Sequence, residues 1–180
     1  MTTPTAKKHK RVRRPPAWLR PVSAVSAVLA VLLFLYALMF DIRPVQGDSM
    51  EPTLREGEWV LILKPGFALR VPRYGDLAVF TPDVAEEAWI KRVVGLPGDV
   101  LHAESGQLYR NGEPVNERYL DEATPSFSAI KSWTDEYLVL GDHRMNSSDS
   151  REHVIGAIPR DHLLGKAIYV VWPPSAWRPL

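Results

Sequence analysis

A serine and a lysine 42 positions apart are the residues of this chain best suited to doing chemistry together. Ser49 lies in the stretch GDSMEPTL (47–54), and Lys91 lies in AWIKRVVG (88–95). A serine hydroxyl is almost never ionised at neutral pH, so a nucleophilic serine needs a base beside it. The usual base is histidine, but none of the five histidines lies in an obvious supporting motif. Lys91 is therefore the candidate base.

Burial decides whether Lys91 can act as a base. Strand alternation places Trp89, Lys91 and Val93 on one face, so the lysine would be a cation on an apolar face. An exposed lysine, with a pKa of about 10.4, is neutral only about once in several thousand at pH 7. Desolvation can lower that pKa by about 3 to 5 units and give a working base. The alternative is a lysine whose stem packs while its ammonium group reaches water.

A polar segment, GDHRMNSSDSR (141–151), is the third candidate for a functional role. It holds three serines, two aspartates and two arginines within eleven residues. Taken alone, it is a loop stabilised by side-chain turns and ion pairs. Beside a serine and lysine pair, one of its hydroxyls could hold the neutral amine in a single orientation.

The N-terminal part of the chain indicates how these residues are attached to a membrane. Residues 1–40 hold seven Lys or Arg and no acidic residue, whereas residues 41–180 carry a net charge of −6. Residues 21–40 are twenty uncharged residues, and a helix of that length spans about 30 Å, the thickness of a bilayer core. We predict a basic cytoplasmic tail (1–20), a transmembrane helix (21–41) and an extracytoplasmic domain (42–180), oriented by the positive-inside rule. Topology and anionic lipid explain the basic tail better than nucleic acid does.

Short apolar runs separated by turn signals predict an antiparallel β domain after the anchor. The runs are 58–64, 76–80, 88–95, 99–104, 137–142 and 165–172. Asn111-Gly112, which lies between QLYR and EPVN, predicts a tight hairpin. The absence of cysteine excludes disulfides, a thiolate nucleophile and Cys-ligated metal, and no HExxH spacing supports a zinc protease.

Four sequence blocks occur in an order that resembles the type I signal peptidases. They are GDSMEPTL after an apolar segment, RYGDLAVF (73–80), IKRVVGLPGD (90–99) and GDHRMNSSDSR. A lone Ser-Met pair would carry no information, but four ordered blocks spread over nearly the whole exposed region are specific.

The resemblance assigns a role to each candidate residue. Ser49 would be the nucleophile, Lys91 the general base and Ser147 the serine that hydrogen-bonds the lysine. The charged positions that brace the loop are Asp142, Asp149, Arg151 and Arg92. In some members the residue two positions before the nucleophile donates to the oxyanion, but here it is Gly47, so the Ser49 backbone N–H is the identifiable donor.

Two further positions carry weaker expectations. His143 stands where many members have Asn, which we interpret as a loop variation with little effect on the serine and lysine pair. Met50 is a candidate substrate contact, expected to face lipid or the apolar part of a substrate rather than a core.

The resemblance also implies a fold, a reaction and partners. The fold is mainly β, an antiparallel catalytic domain of the signal peptidase type with a reduced β cap (100–140), irregular near 121–132, on a single transmembrane helix. The substrates are preprotein signal peptides with small residues, typically Ala, at positions −1 and −3 before the cut. The lipid bilayer is the other partner, and no cofactor, metal, nucleic acid or obligate protein partner is implied.

Two other functions compete with this interpretation. A self-cleaving repressor of the LexA type shares a serine and lysine pair, but it would need a DNA-binding domain ahead of the serine, where residues 21–40 leave no room. A catalytically idle, membrane-anchored β module would bind extracytoplasmic polypeptides without cutting them. Desolvation of Lys91 separates this second alternative from an enzyme.

Overall fold

The computed structural model describes residues 19–64 and 70–180, with side chains from residue 25 onward. These residues form one α-helix, α1 (Leu19–Met39), and twelve strands: β1 (Phe40–Pro44), β2 (Trp59–Leu63), β3 (Leu77–Phe80), β4 (Trp89–Gly95), β5 (Val100–Glu104), β6 (Gln107–Arg110), β7 (Glu113–Pro114), β8 (Phe127–Lys131), β9 (Glu136–Leu140), β10 (Ile158–Pro159), β11 (Leu163–Trp172) and β12 (Arg178–Pro179). All of the strand pairs described are antiparallel. The prediction of a mainly antiparallel β fold is therefore confirmed.

The helix α1 covers most of the segment 21–41 that was predicted to cross a membrane, but it ends at Met39, and Phe40 and Asp41 belong to β1. It is a continuous run of 21 residues, and its side chains from Val25 to Leu38 are largely exposed. Within the part of the chain that the structure describes, no helix meets both the length and the hydropathy required of a membrane span. The transmembrane assignment thus stays a prediction.

The larger sheet carries both candidate catalytic segments. Its strands run in the order β1-β2-β11-β3-β4-β9-β10, with β12 beside β11. Five of the predicted apolar runs become its strands β2, β3, β4, β9 and β11. Strand β9 pairs with β4 as far as Leu140 opposite Arg92. The loop that begins at Gly141 therefore lies next to Lys91, one residue before Arg92.

The smaller sheet lies within the predicted cap region and has the order β7-β6-β5-β8. Its strands β6 and β7 meet at Asn111-Gly112, where both residues have positive φ, 54° and 85°. That geometry is the type I′ turn for which Asn-Gly is the preferred pair, so the hairpin is present as predicted. The stretch 121–132, expected to be irregular, was mispredicted in part, because β8 (Phe127–Lys131) pairs with β5.

Buried apolar side chains form three clusters, one of which reaches the candidate nucleophile. This cluster combines Met50 and Leu54 with residues of β2, β3 and β11. Met50 is only 2 % exposed. The expectation that Met50 faces lipid or substrate rather than a core is therefore wrong. The turn that follows Ser49 folds back onto the sheet, with Leu54 N–H bonded to the Met50 carbonyl, and carries the methionine inward.

Candidate active site

Ser49 lies in a compact turn that is held to the sheet by the apolar residues following it. The Glu51 N–H donates to the Asp48 carbonyl across this turn, and Met50 and Leu54 anchor it in the core. Gly47, just before it, has a φ of +74°, in the left-handed region that favours glycine. The half-buried Ser49 side chain is thereby presented on a rigid turn.

Lys91 lies on β4 with its amine directed at the serine. The Lys91 Nζ and Ser49 Oγ atoms are 2.6 Å apart, within hydrogen-bond reach. Lys91 is only 4 % exposed, so the alternative of an amine that reaches water does not hold. Its cross-strand partner on β3 is Ala78, and its Nζ lies 5.8 Å from the centroid of the Trp89 ring. Strand geometry thus brings together two residues that are 42 positions apart.

Burial changes the acid–base behaviour of this lysine. Desolvation lowers the pKa of Lys91 from 10.5 to about 8. The carboxylates of Asp149, Asp142 and Asp48 oppose that shift, while the Arg151 charge adds to it. A pKa of 8 leaves about one lysine in ten neutral at pH 7, compared with about one in several thousand for an exposed lysine. Lys91 can therefore accept a proton under ordinary conditions.

The four charged residues that were predicted to brace the loop form two buried ion pairs near Lys91. Arg92 donates from Nε and Nη2 to the Asp142 carboxylate at 2.8 Å and 2.6 Å. Arg151 donates from Nε and Nη2 to the Asp149 carboxylate at 2.7 Å and 2.8 Å. Both carboxylates are fully buried, so each depends on its arginine for compensation. The four charges fix the shape of the loop 141–151.

Ser147 is close to this pair of residues but makes a different contact from the one predicted. Its Oγ donates to Asp149 Oδ2 at 2.8 Å, and the described hydrogen bond of the Lys91 amine goes to Ser49. Asp149 also accepts from the Gly141 N–H at 3.0 Å. Orientation of the lysine by Ser147 stays a prediction.

The loop 141–151 also contacts the nucleophile and the residue before it, through the backbone of His143 and through Asn146, a residue that the sequence did not single out. The His143 N–H donates to the Ser49 carbonyl at 3.1 Å, and Asn146 Nδ2 donates to both Asp48 carboxylate oxygens. The hydrogen bond from Asn146 is the largest of the effects that act on Asp48, and the pKa of Asp48 is lowered. His143 Nδ1 also lies 3.3 Å from Asp48 Oδ2, and only the place of His143 in the GDHR block could have indicated these contacts.

Gly141 is required by close packing at the same point. A Cβ at this residue would lie 2.1 Å from Ser147 Oγ and 2.5 Å from the Ser49 carbonyl oxygen. The backbone of the loop therefore approaches the backbone of the nucleophile more closely than any side chain would permit. A glycine before Asp142 was a feature of the sequence block, but its reason is visible only in the structure.

A cleft of about 900 Å³ opens at Ser49 and Lys91. Strand β1 and the turn after it line one wall, and the residues leading into β4 line the other. The lining residues are Arg43, Pro44, Val45, Gln46, Gly47, Ser49, Met50, Val79, Glu86, Glu87, Ala88, Trp89, Ile90, Lys91 and Ser148. Met50 reaches this lining from its buried position, so its role as a substrate contact stays a prediction.

The donors around the cleft do not form a metal site. In residues 19–64 and 70–180, no three side chains of the His, Asp and Glu type converge in a way that could hold a metal ion. The described chemistry of the cleft is that of a hydroxyl beside a desolvated amine.

Comparisons with known proteins place this chain in a family. The model of the family described as "Signal peptidase, peptidase S26" matches residues 18–172. A probable signal peptidase I-2 of Synechocystis is 36 % identical over 91 % of this chain and 78 % of its own length. The signal peptidase I of Leptolyngbya laminosa is 36 % identical over 83 % of this chain and 76 % of its own. Signal peptidase I T of Bacillus subtilis is 33 % identical over 84 % of each chain. With a family match across most of its length and relatives at least 30 % identical over most of both chains, the chain belongs to the signal peptidase family, peptidase S26.

Proposed function

We propose that the protein is a signal peptidase I, a serine endopeptidase that cleaves signal peptides from preproteins with Ser49 as nucleophile and Lys91 as general base. The observation that carries the proposal is the 2.6 Å distance between Ser49 Oγ and Lys91 Nζ, at a lysine 4 % exposed. A nucleophile within hydrogen-bond reach of a base with a lowered pKa is the arrangement that acyl transfer needs. Family membership supplies the substrate class.

The acylation step follows from this geometry. Neutral Lys91 accepts the Ser49 hydroxyl proton as Oγ attacks the carbonyl carbon of the scissile peptide bond. The resulting oxyanion accepts a hydrogen bond from the Ser49 backbone N–H. The lysinium then gives its proton to the departing amine nitrogen as the C–N bond breaks, which leaves an ester on Ser49.

The deacylation step repeats this sequence with water as the nucleophile. A water enters the space left by the released amine, Lys91 takes one of its protons, and the hydroxide oxygen attacks the ester carbonyl. Collapse of the second tetrahedral intermediate returns the proton to Ser49 Oγ and releases the signal peptide. Lys91 serves as base and acid in turn, which a pKa of about 8 permits.

The walls of the cleft support a preference for small substrate side chains. The residues that line the cleft include Met50, Val79 and Ile90, and Met50 and Val79 are packed into the core. Because these apolar side chains are fixed by packing in the core, the pockets beside the scissile bond would be shallow. An extended substrate lying along the cleft would therefore fit alanine at positions −1 and −3 better than a large residue.

Membrane attachment by residues 21–41 is the second part of the proposal. Its support is the uncharged sequence of residues 21–40, the seven basic residues before them and the exposed apolar side chains of α1. The N-terminus would then lie in the cytoplasm and residues 42–180 outside it, where preproteins emerge. The domain boundaries at residues 20, 41 and 42 belong to this proposal.

Cleavage of a defined preprotein tests the catalytic part. The full chain in lipid should cut a preprotein with Ala at −1 and −3 after the −1 residue, as read by the mass of the released mature protein. Ser49→Ala should remove this activity, whereas Ser128→Ala, at an exposed serine on β8, should retain it. Normal cleavage by Ser49→Ala would contradict the assignment, and an inactive wild-type chain would favour the idle binding module.

The absence of cysteine makes the topology directly measurable. In intact cells stripped of their outer layers, an impermeant thiol reagent should label Ser128→Cys. The same reagent should label Thr3→Cys only after the membrane is permeabilised. Labelling of both positions in intact cells, or release of the protein by alkaline carbonate, would contradict membrane anchoring in this orientation.

A further inference from the structure

A buried ion pair joins the cap region to the catalytic loop, outside every residue assigned so far. Both oxygens of the Glu117 carboxylate accept from Arg144, from Nη1 and Nη2, at 2.7 Å each. The Arg144 side chain is 0 % exposed and that of Glu117 is 8 % exposed. Glu117 lies in the segment between β7 and β8, and Arg144 lies in the loop 141–151.

The surrounding contacts make this ion pair a complete polar unit. Thr124 Oγ1 lies within hydrogen-bond distance of Arg144 Nη1, and the Tyr119 hydroxyl donates to Glu117 Oε1 at 2.6 Å. A buried guanidinium needs a counter-charge, and Glu117 supplies it. The segment 117–124 therefore supplies two residues that bind Arg144, Glu117 and Thr124, and a third, Tyr119, that binds Glu117.

Arg144 also binds the backbone segment that contacts Ser49. Its Nε donates to the Gly141 carbonyl at 2.9 Å. Gly141 packs directly against the Ser49 carbonyl, and the neighbouring His143 N–H donates to that same oxygen. A displacement of Arg144 would thus move the backbone that holds Ser49.

The same cap segment also touches the strand that carries the base. The Tyr119 ring lies 3.9 Å from Arg92 Cζ, in the geometry of a cation–π contact. Arg92 follows Lys91 on β4 and is bound to Asp142. One short segment of the cap therefore contacts both the nucleophile side and the base side of the site.

We propose that Glu117, with Tyr119 beside it, is a positioning residue that keeps Ser49 Oγ within reach of Lys91 Nζ by clamping Arg144 and the backbone at Gly141. Glu117 lies outside the set of described residues that line the cleft, so it acts without touching substrate. This inference rests on the proposed function, because its effect is measured through peptide cleavage.

The variant Glu117→Gln tests the clamp in the full chain in lipid, with the alanine-containing preprotein as substrate. It keeps the side-chain shape but leaves Arg144 without its counter-charge. We expect kcat to fall by about tenfold or more with KM little changed, because an interaction that positions the reacting groups is lost while the cleft is not. Glu117→Asp, which restores the charge, should recover part of the rate.

The pH profile of the same variant distinguishes positioning from simple stability. Lys91 is faced by Asp149, Arg151, Asp142 and Asp48. A loosened loop would admit water to the lysine, so the midpoint of the rise of kcat/KM should move upward. Glu113→Gln, at an exposed carboxylate on β7 of the same cap, should leave rate and profile unchanged. Glu117→Gln with a wild-type kcat and midpoint would overturn the proposal, whatever its melting temperature.

A second variant covers the case in which Glu117→Gln fails to fold. Tyr119→Phe removes the hydroxyl bond to Glu117 and keeps the ring over Arg92. It should lower kcat in the same direction by a smaller factor, and a wild-type kcat for a folded Tyr119→Phe would then overturn the clamp. Cleavage by the wild type alongside an unchanged variant rejects only this inference, whereas an inactive wild type rejects the proposed function.

Discussion

Two lysines of the larger sheet flank the same alanine and have opposite surroundings. Ala78 of β3 pairs with Lys91 of β4 on one side and with Lys166 of β11 on the other. The Lys166 side chain is 33 % exposed and its Nζ donates to the Asp76 carboxylate at 2.6 Å. Lys91 is buried, and the hydrogen-bond partner of its Nζ is the neutral hydroxyl of Ser49.

The difference shows what converts a lysine into a base. Both residues lie at the same level of one sheet, so secondary structure does not separate them. Lys166 has a carboxylate in contact and access to water. Two of the three carboxylates near Lys91 are instead engaged by Arg92 and Arg151, and desolvation is the largest influence on the pKa of Lys91.

Removal of each lysine in turn should give the largest contrast. Lys91→Ala deletes the general base, and such groups contribute about 10² to 10⁴ in rate. Lys166→Ala deletes a lysine side chain from β11, two strands away in the same sheet, and should leave kcat/KM near the wild-type value. Initial rates of preprotein cleavage in lipid measure both. Comparable losses of cleavage rate in the two variants would contradict the contrast between Lys91 and Lys166.

The burial of Lys91 should also be visible as a stability penalty that depends on pH. Because the pKa of Lys91 is lowered from 10.5 to about 8, its charged form destabilises the fold below pH 8 by about 3 kcal/mol. Between pH 8 and 10.5 the folded protein has lost this proton while the unfolded chain still binds it, so the free energy of unfolding rises with pH.

Lys91→Met isolates this effect, since methionine has similar length and no charge. The variant should be more stable than the wild type at pH 7, and its advantage should shrink as pH rises from 8 to 10.5. Chemical unfolding of both proteins across that range provides the difference, in which other titrating groups cancel. An advantage that does not vary with pH would indicate that Lys91 is not desolvated.

The smallest effect is expected at the exposed ion pair. Lys166→Met breaks the contact with Asp76, and partly exposed pairs of this kind contribute about 1 kcal/mol or less. Its unfolding free energy should therefore differ little from the wild type. A loss several times larger would show that the Lys166 pair is as critical to the fold as the buried pairs around Lys91.

The sequence predicted most of the larger sheet because its strands have residue types that are typical of strands. Runs such as 58–64 and 165–172 are rich in β-branched and aromatic residues, and Asn111-Gly112 has the backbone preference that its turn requires. Strand β8 was missed, because in FSAIK only Phe127 and Ile130 are partly buried and the alternation is weak. Strands at the edge of a small sheet bury too little to leave a clear pattern.

The site was predictable where a motif carried it and unpredictable where tertiary contacts did. Strand alternation placed Lys91 on an apolar face, but its proximity to Ser49 came from family resemblance, since 42 residues separate the two. Met50 was misassigned because a methionine between turn formers gives no sign that the turn folds back onto the core. Glu117 was overlooked because its partner Arg144 lies 27 residues away in the sequence, in the loop 141–151.

The pH dependence of kcat/KM is the most direct test that Lys91 is a desolvated base acting on Ser49. The full chain in lipid, cleaving an alanine-containing preprotein, should show a rate that rises about tenfold per pH unit and levels off with a midpoint near pH 8. A rate that climbs only toward pH 10 to 10.5 would show a lysine with the properties of an exposed one, and would contradict the account.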